Sequence, residues 1–160
     1  MSKAIYPDQN DSLKLDNQLC FLLYTASRKM TSAYRPLLNE LSLTYPQYLV
    51  MLVLWEYFCD EPLPDKGLKV GVISEKLQLD NGTLTPLLKR LEAQGLVTRN
   101  RDSVDERVVR VGLTAQGASL RAHARKVPEA LLCNSGLSLE QFDDVYAELH
   151  KVLSKVPGLL

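Results

Sequence analysis

Apolar residues recur at helical spacing through the middle of the chain and then give way to the alternation typical of β-strands. Residues 68–114 accordingly predict a helix, a tight turn, a second helix and a β-hairpin. In the second helix one apolar stripe occupies positions i, i+3, i+4 and i+7, namely Leu84, Leu87, Leu88 and Leu91. This order of elements is that of a winged helix-turn-helix.

The opposite face of the second helix makes DNA the first partner to consider. It carries short hydroxyls and cations suited to phosphates and to base edges in a major groove: Thr83, Thr85, Pro86, Lys89 and Arg90. Asp80 is favoured as the N-cap, and Gly95 follows the C-terminal end. Thr85 as cap, with Pro86 as first helical residue, is the alternative start.

The hairpin after this helix has a charged tip. Arg99, Arg101 and Arg107 are predicted to crowd the tip, where a cation can enter a narrow A·T-rich minor groove. Asp105 is predicted to hold the Arg107 guanidinium by a bidentate pair. The other interpretation of this cluster is a solvated turn with surface ion pairs.

Helices are predicted on both sides of this module. On the N-terminal side, a first helix begins near Asp16, and a further helical run over residues 31–41 contains Pro36, which either bends or restarts it. A start signal at residues 44–47 precedes a helix over residues 48–58 that is apolar on nearly every side and hence buried. Residues 59–67 are predicted to form a loop.

On the C-terminal side, a long helix is predicted from Thr114 to about Cys133, broken or bent near Pro128. Ser138 then caps a last helix to about Val156, with one apolar side. The fold class is therefore mainly α with a small β component (α+β). We expect one domain over residues 1–160, in which residues 44–114 form the DNA-binding lobe.

The terminal helices are too apolar to remain uncovered in a small domain. We therefore expect residues 13–43 and 115–160 to be dimerisation helices of a two-fold homodimer that reads a palindromic operator in double-stranded DNA. The 19 basic and 19 acidic residues cancel over the 160 residues. Residues 66–110, however, hold nine Lys/Arg against six Asp/Glu, a local +3 that suits phosphate binding.

Other features narrow the function class further. A polar N-terminus through Lys14, and no apolar run of about 18 to 20 residues, predict a cytoplasmic protein without a membrane span. Three cysteines are not a disulfide scaffold. No Gly-rich phosphate loop, CxxC, HExxH or G-x-S-x-G motif is present, and His123 and His150 are isolated, so neither cofactor nor metal is expected.

Several motifs resemble one family of dimeric repressors. Asp105-Glu106-Arg107, followed by Val111, Leu113-Thr114 and Gly117, is similar to the wing signature of the MarR family. Residues 15–21, 44–48 and 79–88 resemble its organic hydroperoxide-sensing (OhrR) branch. The resemblance implies that Cys20 is the peroxide-reactive cysteine and that Tyr34 and Tyr45 hydrogen-bond it.

The residues themselves agree with such a sensor without requiring one. Cys20 is predicted one turn inside the first helix, where the dipole favours a thiolate only weakly. Phe21, Leu22 and Tyr24 are predicted to shape an apolar pocket for an alkyl or fatty-acid peroxide. Without the resemblance, an inert core cysteine and ordinary core tyrosines are the commoner interpretation.

Cys133 decides which version of the sensor the resemblance implies. Two-cysteine sensors of this branch form an intersubunit disulfide, and the hypothesis is that Cys133 of the partner subunit resolves a sulfenic acid on Cys20. One-cysteine sensors rely instead on a small thiol. Cys59 has no counterpart in the pattern, and is either an incidental thiol or an alternative resolving residue.

Two other functions stay open. One is a MarR-type repressor relieved by a phenolic or other small ligand, with Cys20 inert. The other is a thiol peroxidase with Cys20 as nucleophile, although no arginine or threonine accompanies Cys20 in a peroxidase-like motif. We expect a regulator rather than an enzyme, because catalysis would leave the winged module unexplained.

Overall fold

Helices dominate the molecule, and one small sheet forms the wing. The structure is a computed structural model that describes residues 12–58 and 67–155. Within them lie a 3-10 turn at Leu15–Asn17 and seven α-helices: α1 Leu19–Asn39, α2 Tyr45–Tyr57, α3 Val70–Leu77, α4 Asn81–Ala93, α5 Ala115–Ala124, α6 Lys126–Ser135 and α7 Leu139–Lys155. The strands are β1 Leu68–Lys69, β2 Val97–Arg101 and β3 Val109–Leu113. The predicted fold class is confirmed.

Helix α2 is the buried centre predicted from its all-round apolar character. Its buried residues are Gln47, Tyr48, Val50, Met51, Val53, Leu54 and Trp55. The helix begins at Tyr45, three residues before the predicted start. Thr44 is the N-cap and forms a capping box with Gln47, and Pro46 is tolerated in the first turn, where its missing N–H costs no helical bond.

Helix α1 runs without interruption through Pro36, so the predicted restart is wrong. Because Pro36 has no backbone N–H, the Ser32 carbonyl lacks its helical hydrogen-bond donor. Both residues lie on the exposed side of the helix, where water can replace that hydrogen bond. The predicted start near Asp16 is also wrong. Asp16 belongs to the separate 3-10 turn, and Gln18 is the N-cap of α1, which makes Cys20 the second helical residue.

The helix pair of the DNA module matches the sequence pattern closely. Helix α4 is capped by Asp80, whose carboxylate accepts from the Thr83 backbone N–H at 2.9 Å, so the favoured start is confirmed and the start at Thr85 is wrong. Its predicted leucine stripe is buried. Gly95, at φ +71°, supplies the left-handed turn after the helix.

The sheet has the order β1-β3-β2 and is antiparallel throughout. The hairpin pairs Val97 with Leu113 at its base and Arg101 with Val109 near its tip. Strand β1, in which Leu68 pairs with Val111, was not predicted, because two residues are too few to show alternation. Cys59 and the rest of residues 59–66 of the predicted loop lie outside the described residues.

The C-terminal helices follow the predicted pattern with one shift. The predicted bend separates α5 from α6 at Arg125, and Pro128 lies in the first turn of α6, where a proline is tolerated. Ser138 and Gln141 cap α7 reciprocally, while the predicted end at Val156 lies outside the described residues. Helix α7 has no buried residue in the chain alone, and no helix in the described ranges suits a bilayer crossing.

Gly117 is where helix α5 docks on helix α2 and on the start of the wing. The Trp55 indole N–H donates to the Gly117 carbonyl at 2.8 Å, which joins α5 to the buried helix α2. A Cβ at position 117 would lie 2.1 Å from the Leu96 carbonyl oxygen, far inside van der Waals contact. Only glycine therefore permits this close approach between α5 and the start of the wing.

We predict that Gly117→Ala lowers the free energy of unfolding by about 2 kcal/mol, because backbone must move to relieve the overlap. Gly71→Ala is the matched control: Gly71 lies in helix α3 with no heavy atom within 4 Å of the place a Cβ would take, so helix propensity favours alanine by about 0.5 to 1 kcal/mol. Urea denaturation of both variants tests the pair. Equal stabilities would contradict the docking role of Gly117.

Candidate nucleic-acid interface and sensor thiol

The five residues predicted to face DNA from helix α4 are all exposed: Thr83, Thr85, Pro86, Lys89 and Arg90. The two hydroxyl protons are used inside the helix, since Thr83 donates to the Asp80 carboxylate at 2.7 Å and Thr85 to the Asn81 carbonyl at 2.6 Å. Their lone pairs remain as acceptors. Lys89 and Arg90 are therefore the side-chain donors that this face offers to a phosphate or a base edge.

A groove of about 520 Å³ lies between α3, α4 and the wing. Asn81 and Thr85 line it from α4, Arg107 from the wing and Lys69 from β1. Helix α4 and the wing thus contribute to one continuous surface. Lys69 adds a cation to that surface that the sequence pattern did not single out.

Arg99 does not belong to the wing tip, so that prediction is wrong. It lies in the middle of β2 opposite Val111, and its guanidinium Nη2 and Nε lie 2.6 and 2.8 Å from the Glu92 carboxylate. The Arg99 backbone N–H donates to the same carboxylate at 3.1 Å. Arg99 therefore fastens the wing to α4, whereas Arg101 and Arg107 are exposed.

The predicted bidentate pair between Asp105 and Arg107 is not found among the described residues. Asp105 instead accepts a hydrogen bond from the Arg107 backbone N–H at 3.0 Å and so shapes the turn. The ion pair of the wing joins Asp102 to the Arg110 guanidinium, which also donates to the Gly67 carbonyl at 3.1 Å. The pairing of Asp102 with Arg110 was not predicted, because two residues eight positions apart in a hairpin leave no local sequence pattern that indicates an ion pair.

Asp102 has a strongly perturbed ionisation. Its carboxylate accepts from Arg110 and from the backbone N–H groups of Val104 and Asp105 at 2.9 and 3.1 Å. These donors, with the Arg110 hydrogen bond as the largest cause, hold the pKa of the Asp102 carboxyl well below its usual range. The carboxylate stays charged at neutral pH and fixes both ends of the wing loop.

Cys20 and Cys133 are free, exposed thiols. Cys20 lies in the first turn of α1, where unpaired backbone N–H groups point towards the helix start. Tyr24 follows one turn later on the same face, with the Arg28 guanidinium 5.5 Å above its ring and donating to its hydroxyl at 3.2 Å. Phe21, Leu22 and Tyr24 are exposed in the chain alone.

Tyr34 and Tyr45 lie together at the other end of α1. Their ring centroids are 4.9 Å apart, and the Tyr48 ring is 5.9 Å from that of Tyr34. Burial raises the pKa of all three phenols, that of Tyr48 to about 12. Each phenol keeps its proton at neutral pH and can donate it. Tyr48 was missed, although its spacing of three from Tyr45 on one helix was a usable signal.

The sulfur and the tyrosines are far apart in one chain. Cys20 and Tyr34 are separated by fourteen positions of one unbroken helix, which corresponds to about 21 Å along its axis. Tyr45 packs on Tyr34 and is therefore at the same distant end. The hydroxyls of Tyr34 and Tyr45 therefore cannot reach the Cys20 thiol of their own chain.

An open cavity of about 600 Å³ lies beside Tyr45, between α1 and the start of α2. Arg28 and Arg35 give it a positive side, while Leu38 and Leu43 contribute apolar surface. The described residues contain no group of three or more His, Cys, Asp or Glu side chains that could hold a metal. The cavity is suited to an amphipathic molecule beside a hydrogen-bond donor.

The helix pair, the charged hairpin and the shared groove define a winged helix-turn-helix regulator of transcription. Residues 32–123 match the family model of the transcriptional regulators SarA/Rot. The organic hydroperoxide resistance transcriptional regulator of Bacillus subtilis is 48% identical over 89% of this chain and 92% of its own length. The chain belongs to the MarR/SarA family of winged-helix transcriptional regulators. The expectation that it is not an enzyme is thereby confirmed.

Solved structures give the same fold and include different redox states of one DNA-binding protein. The reduced form of AbfR bound to DNA is 35% identical, with a TM-score of 0.68 over 91% of this chain and 96% of that one. AbfR is a protein of Staphylococcus epidermidis. Its disulfide form is 34% identical and gives a TM-score of 0.59 over the same shares of the two chains.

We predict that Asp102→Asn removes a pH-dependent part of the stability. A carboxyl whose pKa is lower in the folded state stabilises the fold above its unfolded pKa of about 4, and the contribution is lost as the pH falls through the folded value. The difference in unfolding free energy between wild type and variant is therefore expected to be larger at pH 7 than at pH 3. A difference that stays constant between these pH values would contradict the assignment.

Proposed function

We propose that this protein is a redox-sensing repressor that binds operator DNA as a homodimer and releases it when organic hydroperoxide oxidises Cys20. The observation that carries the proposal is the arrangement on α1: an exposed thiol in the first turn, and a cluster of protonated tyrosines at the opposite end. The Bacillus subtilis relative, named for organic hydroperoxide resistance, supports the inducer class.

The exposed apolar surface supports a homodimer. Helix α7 presents Leu139, Phe142, Val145, Leu149 and Leu153 to solvent, and the start of α1 presents Leu19 and Leu22. Burying these side chains against a second copy removes them from water at about 25 cal/mol per Å². Within the predicted dimerisation segments 13–43 and 115–160, α7 and the start of α1 supply this surface. Ala124, Val127 and Leu131 pack instead in the core of their own chain.

A two-fold dimer also completes the sensor. A two-fold axis perpendicular to the α1 helices makes the two copies antiparallel and brings the N-terminal end of one towards the C-terminal end of the other. Cys20 of one subunit then meets Tyr34 and Tyr45 of the partner subunit, which the separation of about 21 Å forbids within one chain. Protonated phenols stabilise a thiolate there by donating hydrogen bonds, without adding a competing cation.

Each subunit's lobe, residues 44–114, is proposed to read one half-site. Helix α4 enters the major groove with Lys89 and Arg90 near phosphates and with the Thr83, Thr85 and Pro86 surface towards the bases. Arg101 and Arg107 reach from the wing into the flanking minor groove, while Asp105 shapes the turn. The lobes need a fixed spacing, about one DNA turn apart, so a change in their relative position weakens binding.

Oxidation begins with attack of the Cys20 thiolate on the peroxide. The S–O bond forms as the O–O bond breaks, and the leaving alkoxide takes up a proton to give the alcohol. Phe21, Leu22 and Tyr24 of one subunit, with the cavity beside Tyr45 of the partner subunit, form the proposed peroxide pocket. The sulfenic acid no longer accepts hydrogen bonds as a thiolate does, and the tyrosines lose their partner.

The finer proposal adds a second thiol. The Cys133 thiolate of the partner subunit attacks the Cys20 sulfur, the S–S bond forms, and the hydroxyl leaves as water after protonation. Cys133 is exposed on α6 and is free to react in the single chain. The new bond ties α1 of one subunit to α6 of the other and pulls the two lobes out of register.

The direct test is a gel shift on the chain's own upstream DNA, with and without cumene hydroperoxide. Wild type is expected to bind when reduced and to lose at least about tenfold in affinity when oxidised, within the usual range of coupling energies. Cys20→Ser is expected to bind equally well in both conditions, because serine is not oxidised. Release of Cys20→Ser by peroxide, or no binding by reduced wild type, would refute the proposal.

The disulfide has its own test, on non-reducing gels after peroxide treatment. Wild type is expected to run as a covalent dimer that dithiothreitol reverses, and Cys133→Ser is expected to stay monomeric on the gel. Cys59→Ser is the matched control and is expected to cross-link like wild type. A dimer that survives in Cys133→Ser but not in Cys59→Ser would transfer the resolving role to Cys59.

A further inference from the structure

Gln47 is the buried polar residue of the described core, and its surroundings explain why it is there. Its side chain is 3% exposed. The amide oxygen accepts from the Thr44 backbone N–H and the Thr44 hydroxyl, both at 2.8 Å, and the amide N–H donates to the Gln94 side-chain oxygen at 3.3 Å. The contact to Thr44 caps helix α2, but the contact to Gln94 serves no cap.

Gln94 extends this contact to the turn between α1 and α2. Its amide nitrogen donates to the Ser42 carbonyl at 2.9 Å, across 52 positions of sequence. Ser42 has φ +55°, a left-handed conformation that is uncommon for a residue with a side chain. Gln94 is also the C-terminal cap residue of the recognition helix α4. One side chain thus holds a conformationally restricted turn against the end of the helix proposed to read DNA.

The bridge starts beside the proposed sensor. Tyr45 is the first residue of α2, adjacent to Thr44 and two positions before Gln47. We infer that Gln47 and Gln94 are positioning residues that couple the sensor to DNA binding. They make the turn at residues 41–44, Tyr45 and the C-terminal end of α4 move together. This inference rests on the proposed function and adds the route by which displacement of Tyr45 reaches the recognition helix.

The physical basis is the cost of leaving the buried Gln47 amide without its partner, since the Gln94 side chain is itself exposed. A buried donor or acceptor that loses its partner costs more free energy than an exposed one, because water does not replace the bond. When oxidation moves Tyr45 and the start of α2, Gln47 keeps its bond to Gln94 and α4 follows. Without the bridge, the start of α2 shifts while α4 stays on the DNA.

The test compares operator dissociation constants of peroxide-treated and reduced protein for wild type and Gln94→Met. Methionine keeps the side-chain length but removes both hydrogen bonds. We expect the dissociation constant of the reduced variant to stay within about threefold of the wild-type value. The ratio of the dissociation constants of oxidised and reduced protein is expected to fall about tenfold. Sulfenic acid formation at Cys20, measured by dimedone labelling, is expected to be the same in the variant as in wild type. A general loss of structure would change this labelling as well.

Two further variants sharpen the result. Gln47→Glu keeps the acceptor for Thr44 but loses the N–H that donates to Gln94, and it is expected to lower the same ratio. If both residues act through one bridge, the double variant Gln47→Glu with Gln94→Met is expected to lower the ratio no further than Gln94→Met alone. Glu56→Gln is the matched control. It breaks the exposed Lys76–Glu56 pair, 2.7 Å long, which joins α2 to α3 on another side, and is expected to keep the wild-type ratio.

The outcomes separate the two levels of the argument. A wild-type protein that keeps its DNA after oxidation overturns the proposed function and this inference with it. A wild-type protein that releases DNA, together with Gln94→Met and Gln47→Glu variants that release it equally, overturns the coupling bridge alone. An equal loss of coupling in Glu56→Gln also overturns it, because the effect would then belong to any contact of α2.

Discussion

Helix α2 supplies the centre of the described core, and the other elements are arranged around it. A mostly apolar helix must be covered, and here α1, α3, α4 and α5 pack on it, with Leu54 and Met51 fully enclosed, while Leu52 and Glu56 mark the side that stays exposed. The same helix begins at Tyr45 beside the tyrosine cluster and carries Trp55, which binds the Gly117 carbonyl. The proposed sensor, helix α4 and helix α5 therefore all contact one element.

Two polar side chains buried in this core, those of Gln47 and Trp55, make contacts between separate elements. Gln47 and Gln94 join the start of α2 to the end of α4, and Trp55 joins α2 to α5. Because buried amides and indoles need partners, such contacts have direction and restrict how helices slide. Apolar packing supplies cohesion, whereas these bonds specify the relative positions of the helices that they join.

Ion pairs determine which of the basic residues in the DNA-binding module are available to contact DNA. The local excess of +3 in residues 66–110 counts Arg99 and Arg110, yet the first is paired with Glu92 and the second with Asp102. Lys76 is exposed but paired with Glu56. The exposed cations of this range that form no ion pair with another described residue are Lys69, Lys89, Arg90, Arg101 and Arg107. The paired arginines hold the wing against α4 and β1, so that the exposed ones can present a fixed pattern to a phosphate backbone.

Features that depend on neighbours within a few residues could be predicted from the sequence. These include the buried stripe of α4, the Asp80 and Ser138 caps, the buried character of α2 and the hairpin. Packing between elements was needed to establish the Arg99–Glu92 and Asp102–Arg110 pairs, strand β1, the bridge from Gln47 to Gln94, and the unbroken course of α1 through Pro36. The reason is physical: caps and periodic stripes are satisfied locally, whereas these partners meet only when separate elements pack. The separation of Cys20 from the tyrosines belongs to the second group, since it becomes visible only once α1 is known to be one helix.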